Sequence, residues 1–289
     1  MKIAKIIAVA ALACTTAFAL TSCTKEGAYN PKKKISKIYV TKYGNSEQLS
    51  ETWTWDKKTL TSINMEGSII NLSYDKNNRL SSATSGTSSM TYEYDGKFLS
   101  KITCTEDGEL AGTYTFTHDG KTISHIKMEI VDGLFSNSPV YAATMRMIPA
   151  EITQTMQECA AQNAIKGIVI TYDYDLTWEK NNVTQIVMKS NADSHTYTFT
   201  YTYSEYLSPF RCSFFGSDVI DNLCANCPFG LSKNLPVSCH VDWGESTHRD
   251  IEYTYTYTDK YPLTETRNVI TTMPNNSELS NPITYRYEY

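Results

Sequence analysis

The chain of 289 residues contains none of the short motifs that mark common catalytic sites. It has no G-x-S-x-G nucleophile elbow, no H-E-x-x-H metal pair, no P-loop and no G-x-G-x-x-G dinucleotide loop. Each of those chemistries depends on its own fixed spacing, so the corresponding hydrolases, nucleotide-binding enzymes and dehydrogenases are not indicated. We therefore expect a protein that is not an enzyme and that uses no cofactor.

Positive charge is also scarce. Lysine and arginine number 26 against 31 aspartates and glutamates, and removal of a leader with Lys2 and Lys5 leaves the mature charge at −7. The one concentrated basic run is Lys32–Lys34, which we interpret as solvated or in weak contact with anionic lipid head groups. Without a basic stripe, nucleic acid is excluded as the expected partner.

Long apolar runs are absent except at the N-terminus. The run Ile6–Leu20 follows two lysines and is shorter than the roughly 20 residues that a spanning helix requires. It ends in Leu-Thr-Ser-Cys at Cys23, the pattern of a lipoprotein signal peptide covering residues 1–22. This pattern predicts export, acylation of Cys23 by chains such as palmitate, and attachment to the membrane through them.

The residue after Cys23 is Thr24 rather than aspartate, which favours the outer membrane over the inner one in Gram-negative sorting. The sequence leaves open whether the protein faces the periplasm or the cell exterior. Residues 23–34 are predicted to be a polar, lipidated tether, and residues 35–289 a single domain.

What the chain does contain is a repeated unit of alternating residues, an acidic or Asn/Gly turn, and an apolar residue. Copies occupy residues 52–65, 70–84, 90–104, 114–128, 174–188 and 253–270. Alternation places one residue set on each face of a strand, and Asp, Asn, Gly and Lys suit the turn, so each copy predicts a β-hairpin. KISKIYV from Lys34 and ITYRYEY from Ile283 read as two half-units at the ends.

The predicted fold class is therefore all-β: a large, twisted or curved antiparallel meander sheet or partial barrel. Two stretches interrupt the repeat. Residues 139–167 have a helical pattern with Pro149 at a suitable start and predict a short helical insertion. Residues 206–249 form a cysteine-containing loop, with a strand predicted near Pro236 to Val241.

The hairpin units resemble the YD-type repeats of secreted bacterial proteins. More closely, LTWEKNNVTQI from Leu176, LSKNLP from Leu231 and YTYTYTDKYPL from Tyr253 resemble lipoproteins of gut anaerobes, a domain of unknown function with a porin-like fold. The resemblance covers nearly all of the mature chain and implies a curved antiparallel sheet or partial barrel. It transfers no catalytic residue, and Lys260 stands where that family usually has glycine.

Four cysteines fall in or near the predicted loop and are candidates for disulfides or a metal site: Cys212, Cys224, Cys227 and Cys239. An oxidising compartment favours disulfides, whereas soft ligands at this spacing also permit zinc. Only one C-x-x-C is present where a zinc ribbon has two, so the metal, if any, is not specified. Redox exchange is the weakest alternative, because CANCP opens no helix in a βαβ unit.

Three further features bear on function. Asp173 and Asp175 are predicted on the same face of a strand, as solubilising charges or as a pair for acid–base work or calcium. His118 occupies the aromatic position of a hairpin, which predicts a structural role. The Tyr/Thr rows offer either an exposed platform for glycans or the packed face of the sheet, and we favour the packed face.

Three hypotheses for function follow. The first is a non-catalytic cell-envelope lipoprotein that binds a glycan or an envelope protein, or acts as a scaffold. The second is an outer-membrane β-barrel pore, disfavoured because strands such as TYTFTYTY lack an apolar outward band. The third is a metal-dependent hydrolase.

Overall fold

A computed structural model describes residues 26–42, 45–65, 67–131, 169–191, 195–211, 230–242, 248–272 and 278–289. Within these ranges the chain forms strands and no helix. The predicted signal peptide and the predicted helical insertion at 139–167 lie outside the described residues. Among the described residues, no helix is long and apolar enough to cross a membrane.

Sixteen strands follow one another along the chain, and each pairs antiparallel with its neighbours. They are β1 (Lys37–Lys42), β2 (Gln48–Asp56), β3 (Thr59–Met65), β4 (Ser68–Tyr74), β5 (Leu80–Ser85), β6 (Ser88–Asp95), β7 (Phe98–Glu106), β8 (Glu109–Asp119), β9 (Thr122–Val131), β10 (Val169–Glu179), β11 (Asn182–Ser190), β12 (Thr196–Leu207), β13 (Asn234–Asp242), β14 (His248–Thr258), β15 (Tyr261–Thr272) and β16 (Glu278–Glu288). The six repeat copies correspond to the hairpins β2–β3, β4–β5, β6–β7, β8–β9, β10–β11 and β14–β15, and β13 covers the strand predicted near Pro236 to Val241.

The sheet closes into a barrel. Strand β16 pairs with β1 over six residue pairs, from Lys37 with Glu288 to Lys42 with Ile283. The prediction of an open curved sheet or partial barrel is therefore wrong, although the all-β, antiparallel part is confirmed. The two half-units at the ends of the repeat are the strands that meet at this seam, so each satisfies the other's free edge.

Every hairpin of the repeat has the same local construction. The register shifts by one residue directly before an aromatic or histidine side chain, as at Trp55 in β2 and Tyr94 in β6. A turn residue then takes a left-handed conformation, for example Lys57 with φ 52° and Gly96 with φ 58°. A bulge of this kind increases the local twist of the strand and redirects the side chain beside it.

The two ends of the barrel differ. Connections β2–β3, β4–β5, β6–β7, β8–β9, β10–β11, β12–β13 and β14–β15 lie at one end, here called the turn face. The remaining connections lie at the other end, the loop face. The segment 26–35, which precedes β1, is at the turn face, because Leu80 N–H donates to the carbonyl of Gly27.

One apolar cluster fills much of the described interior. Inward side chains are Ile, Leu, Met, Phe and Tyr on most strands, and Leu60, Leu80, Leu99 and Phe199 are fully buried. The outward positions of the same strands carry mainly threonine, serine and charged residues, and a few carry exposed apolar side chains: Leu49, Ile69, Leu110, Val169, Val237 and Leu263. This alternation is what a strand with one packed face and one hydrated face requires.

Candidate functional site

The turn face is closed by side chains from segments outside the strands. Tyr29, 3% exposed, inserts from the N-terminal side and donates its hydroxyl to the carbonyl of Pro209 at 2.7 Å. Its ring lies 6.1 Å from that of Trp53. From the other segment, Phe210 packs edge-on to Trp53 and Tyr287, at 6.3 and 5.7 Å between centroids. Two separate pieces of chain therefore occupy the barrel at this end.

A ring of aromatic donors surrounds these inserted side chains. Each donor lies on, or directly after, an even-numbered strand and gives a hydrogen bond to a backbone carbonyl on, or just before, the preceding odd-numbered strand. The pairs are Trp55 to Ile35, Tyr74 to Leu60, Tyr94 to Leu80, Trp178 to Ile123, Tyr203 to Val183, Tyr255 to Pro236 and Tyr289 to Pro262. These hydrogen bonds connect neighbouring strands at the turn face, close to the bulges.

Strand β8 has histidine in this position, and its contact differs. His118 Nε2 lies 3.0 and 3.1 Å from the two carboxylate oxygens of Glu26. The same carboxylate accepts the N–H of Leu99 at 2.6 Å. Glu26 thus bridges β7 and β8, where an aromatic hydroxyl would otherwise connect them. This contact is of the kind that the predicted structural role requires, and it holds the start of the described chain at the turn face.

Burial keeps the hydroxyls of two ring tyrosines and of the inserted Tyr29 protonated. It raises the pKa of Tyr29, Tyr74 and Tyr289 above the ordinary value of 10.0. A neutral hydroxyl retains its proton for donation throughout the range in which bacteria live. The ring is therefore a permanent structural feature rather than a titrating one.

The interior also contains charge, on the side of the barrel near the seam. Glu265 is fully buried; it accepts a hydrogen bond from Arg267 Nε at 2.5 Å and one from the Tyr287 hydroxyl at 2.7 Å. Arg267 packs its guanidinium over the Tyr285 ring at 4.5 Å. Buried Glu51 accepts the Trp53 indole N–H at 2.6 Å. Arg267 is the counter-ion of Glu265, as the burial of a carboxylate demands.

On the outer wall, Asp173 and Asp175 project from the same face of β10, as predicted. The structure places His125 of β9 between them, with Nε2 3.2 Å from Asp173 and Nδ1 2.8 Å from Asp175. A second such group joins β13 and β14, where His240 Nδ1 lies 2.7 Å from Asp250 and its ring 5.5 Å from that of His248. The described residues contain no group of three or more His, Cys, Asp or Glu arranged to hold a metal ion.

The cysteine prediction can be followed only at Cys239. Its side chain points inward on β13, opposite Tyr201, and is 1% exposed. Burial raises the pKa of this thiol to about 12, and the same holds for Cys104. Cys23, Cys212, Cys224 and Cys227 lie outside the described residues, so the choice between disulfides and metal stays open.

The structure shows which face of the sheet each residue type of the Tyr/Thr rows occupies. Tyr92, Tyr114, Tyr172, Tyr197 and Tyr253 are buried on the inner face. The alternating threonines point outward, where pairs such as Thr256 with Thr264 and Thr266 with Thr284 approach within hydrogen-bonding distance across strands. The packed-face interpretation is confirmed for these tyrosines, and an exposed aromatic platform for glycans is not supported at these positions.

Sequence reasoning missed the contribution of Glu26, Tyr29 and Ile35, which lie in or beside the segment predicted as a tether. Tyr29 and Ile35 are buried at 3% and 0% exposure. The only local signal is the presence of two large apolar side chains in an otherwise polar stretch. Glu265 and Arg267 were also missed, because TETRN alternates like any outward-facing strand.

No family model matches the chain, and no curated protein does. Among solved structures, the crystal structure of a porin-like protein from Bacteroides uniformis is similar, with a TM-score of 0.40 and 14% sequence identity. The match covers 89% of this chain and 98% of that one. At this level of similarity, nothing about activity or ligand passes from that protein to this chain.

Proposed function

We propose that this protein is a water-facing β-barrel of the outer membrane, held there by lipid on Cys23, that acts as a non-catalytic binding or scaffold module. The closed barrel belongs to the architecture that the pore hypothesis predicted. The observation that carries the proposal is the polarity of its two faces, which is opposite to that of a lipid-embedded barrel.

The outer wall carries charged side chains within its strands. Lys101 of β7, Lys127 of β9 and Lys189 of β11 point outward, and Asp173 and Asp175 lie among them. A lysine facing lipid at the middle of a bilayer costs about 2–4 kcal/mol. Three such lysines on alternate strands of one side of the barrel, with threonines on the strands between them, favour water as the solvent of this surface.

The inner wall supports the same conclusion. A sixteen-stranded barrel is wide enough to enclose an aqueous channel. Here the inward side chains of the described strands are largely apolar and buried, and Tyr29 and Phe210 enter the turn face. A permeation path needs polar side chains lining water, whereas this interior resembles the core of a globular domain.

The chemistry of the outer wall favours a protein partner over a glycan. Glycan platforms rely on exposed aromatic rings, and the tyrosine rows face inward. The wall instead presents threonine rows and paired charges, such as Lys127 with Glu129 at 2.8 Å, which suit a polar protein surface. We propose an envelope protein as the partner.

The decisive experiment is to produce residues 24–289, without leader or lipid, in the absence of detergent. A monodisperse, β-rich, cooperatively unfolding species is expected. Aggregation that only detergent relieves would contradict the water-facing barrel. Acylation is tested separately by labelled-palmitate incorporation into the full chain and into Cys23→Ser, which should lose the label. Pull-down from envelope extracts, with a glycan array in parallel, tests the partner class.

A barrel pore is the second candidate, supported by one specific observation: β16 pairs with β1 and leaves no open edge. A pore also predicts discrete conductance steps in planar bilayers. We expect none from the purified chain, and reproducible steps from a homogeneous preparation would replace the first proposal with the second.

A further inference from the structure

Lysine is distributed unevenly between the two ends of the barrel. Each of the seven connections at the turn face contains at least one lysine among its described residues: Lys57 and Lys58, Lys76, Lys97, Lys121, Lys180, Lys233 and Lys260. The described connections at the loop face contain no lysine or arginine. Seven independent turns share this feature, although turn geometry alone does not require it.

Most of these lysines are exposed, and several have no counter-ion nearby. Lys57, Lys58, Lys76, Lys121 and Lys260 are exposed and form no ion pair within the described part of the chain. By contrast, the acid of the β4–β5 turn is neutralised locally, because Arg79 binds Asp75 at 2.8 Å. The charge left at the surface of the turn face is therefore positive.

The net charge of the turn face is opposite in sign to that of the whole mature chain. The described residues of the turn face are 26–35, 56–59, 75–79, 95–97, 119–121, 179–181, 205–211, 230–233 and 259–260. They contain thirteen lysines and arginines and eight acids, a charge of +5, whereas the chain after residue 22 carries −7. The described residues outside the turn face carry a net charge of −7, and Glu106, Asp107 and Glu109 lie among them at the loop face.

The predicted lipid anchor is attached close to the same end of the barrel. Glu26 is held at the turn face by His118 and Leu99. Only Thr24 and Lys25 separate it from Cys23, so a lipid on Cys23 is attached within about 10 Å of Glu26. Lys33 and Lys34 are held against the barrel nearby, the first by Asp259 at 2.9 Å and the second over the Trp55 ring.

We infer that the turn face is a membrane-contact surface that lies on a bilayer of anionic lipid, with the loop face directed away from it. The inference rests on the water-facing barrel proposed above and adds its orientation. The exposed lysines of the turn face attract a negatively charged leaflet without inserting into it, and the acidic loop face is repelled. The lipid anchor and the lysine ring then act at the same end.

The test uses residues 24–289, which include every strand and the packed segment 26–35 but no acyl chain. Binding to vesicles of phosphatidylcholine is compared with binding to vesicles of phosphatidylcholine and phosphatidylglycerol in equal amounts. We expect binding to the anionic vesicles alone, and its loss between about 0.05 and about 0.5 M salt, because screening removes attraction between exposed charges.

Matched variants locate the surface. Each lysine near an anionic leaflet strengthens binding about fivefold, so Lys57→Gln, Lys58→Gln and Lys121→Gln together should weaken it about a hundredfold. The control combines Lys101→Gln, Lys127→Gln and Lys189→Gln on the barrel wall, with the same change in charge, and should bind within about threefold of the parent. Urea unfolding confirms that both variants fold.

Equal losses in the two variants would overturn the orientation. The orientation would also be overturned if the parent protein folds without detergent but does not bind anionic vesicles, for instance because the lysines bind an acidic protein instead. That result would not contradict the water-facing barrel. Salt-resistant association with neutral vesicles would indicate insertion and would overturn the water-facing barrel and the orientation together.

Discussion

Arg286 and Glu47 are 239 residues apart in the chain, and their side chains form two hydrogen bonds. Arg286 lies on β16 and reaches over the ring of Tyr39 on β1, 3.8 Å from its centroid, to Glu47 just before β2. The contact crosses the seam where the last strand meets the first. Side chains on the outer wall therefore reinforce the backbone pairing that closes the barrel.

Replacing Arg286 by glutamine should destabilise the protein in a pH-dependent way. The hydrogen bond from Arg286 holds the pKa of Glu47, and likewise of Glu288, below the usual 4.5. A lowered pKa in the folded state contributes stability that is complete above 4.5 and is lost as the pH falls through the folded value.

The urea midpoint of Arg286→Gln should therefore lie below the parent's at about pH 7 and approach it at about pH 3. Lys189→Gln, which removes an exposed cation from β11, is the control and should have little effect at either pH. A midpoint difference that is unchanged at the lower pH would show that the carboxylates are not responsible.

The ring of aromatic donors at the turn face predicts that two tyrosines of β6 contribute differently to stability. Tyr94 donates to the Leu80 carbonyl at 2.8 Å, whereas the Tyr92 hydroxyl meets only the Met90 sulfur at 3.9 Å. Tyr94→Phe should lower the free energy of unfolding by about 1 kcal/mol, and Tyr92→Phe by clearly less. Equal effects in chemical denaturation would mean that the ring hydrogen bonds do not stabilise the hairpin ends.

Gly27 tests the packing of the N-terminal segment. It has φ 74°, and a Cβ there would overlap the Tyr94 hydroxyl. Gly96 has φ 58° and open space around it, so Gly96→Ala isolates the backbone strain, about 1–2 kcal/mol.

We expect Gly27→Ala to lose a further 1–3 kcal/mol, roughly the cost of overpacking, and to expose segment 26–35 to protease. Equal stability losses and equal protection in the two variants would show that the segment does not depend on this contact.

The buried charge near the seam predicts a large loss from a small change. Glu265→Gln removes the counter-ion of Arg267 inside the barrel, which should cost about 3 kcal/mol. Glu129→Gln removes the acid of a solvated pair with Lys127 and should change stability little. Similar losses in the two variants, measured by urea unfolding, would mean that the Glu265 site is hydrated.

Cys239 should behave as a protected thiol. Burial and a pKa of about 12 keep it in the unreactive protonated form. Alkylation of the native protein, mapped by peptide mass spectrometry, should leave Cys239 unmodified until urea is added. Recovery of Cys239 in a disulfide with Cys212, Cys224 or Cys227 under non-reducing conditions would contradict this and support the stapled loop.

The hairpins could be predicted because their signals are local. Asp56 and Leu60, or Asp119 and Ile123, lie within one turn of each other, and alternation assigns the faces. Closure could not be predicted in this way, because an open meander and a barrel require the same alternation. The barrel differs from the open sheet in the pairing of Lys37–Lys42 with Ile283–Glu288. Neither of these two strands alone indicates that the other is its partner.

In the candidate site, too, local features could be predicted and contacts between distant residues could not. The common face of Asp173 and Asp175 follows from their spacing, but the histidine between them comes from another strand. Glu26 and His118 are 92 residues apart, and no local pattern connects them. The lysines of the turn face are each visible in the sequence, yet they become one surface only after seven turns are known to share an end.

The seam has a consequence for biogenesis. Strands β2 to β15 can add one after another as neighbours along the chain, but β1 keeps one row of backbone donors and acceptors without a strand until β16 arrives. Exposed strand edges recruit other chains, and contacts this distant in sequence form slowly. The N-terminal strand is therefore the one most open to pairing with other chains, and it stays so until the last strand has been made.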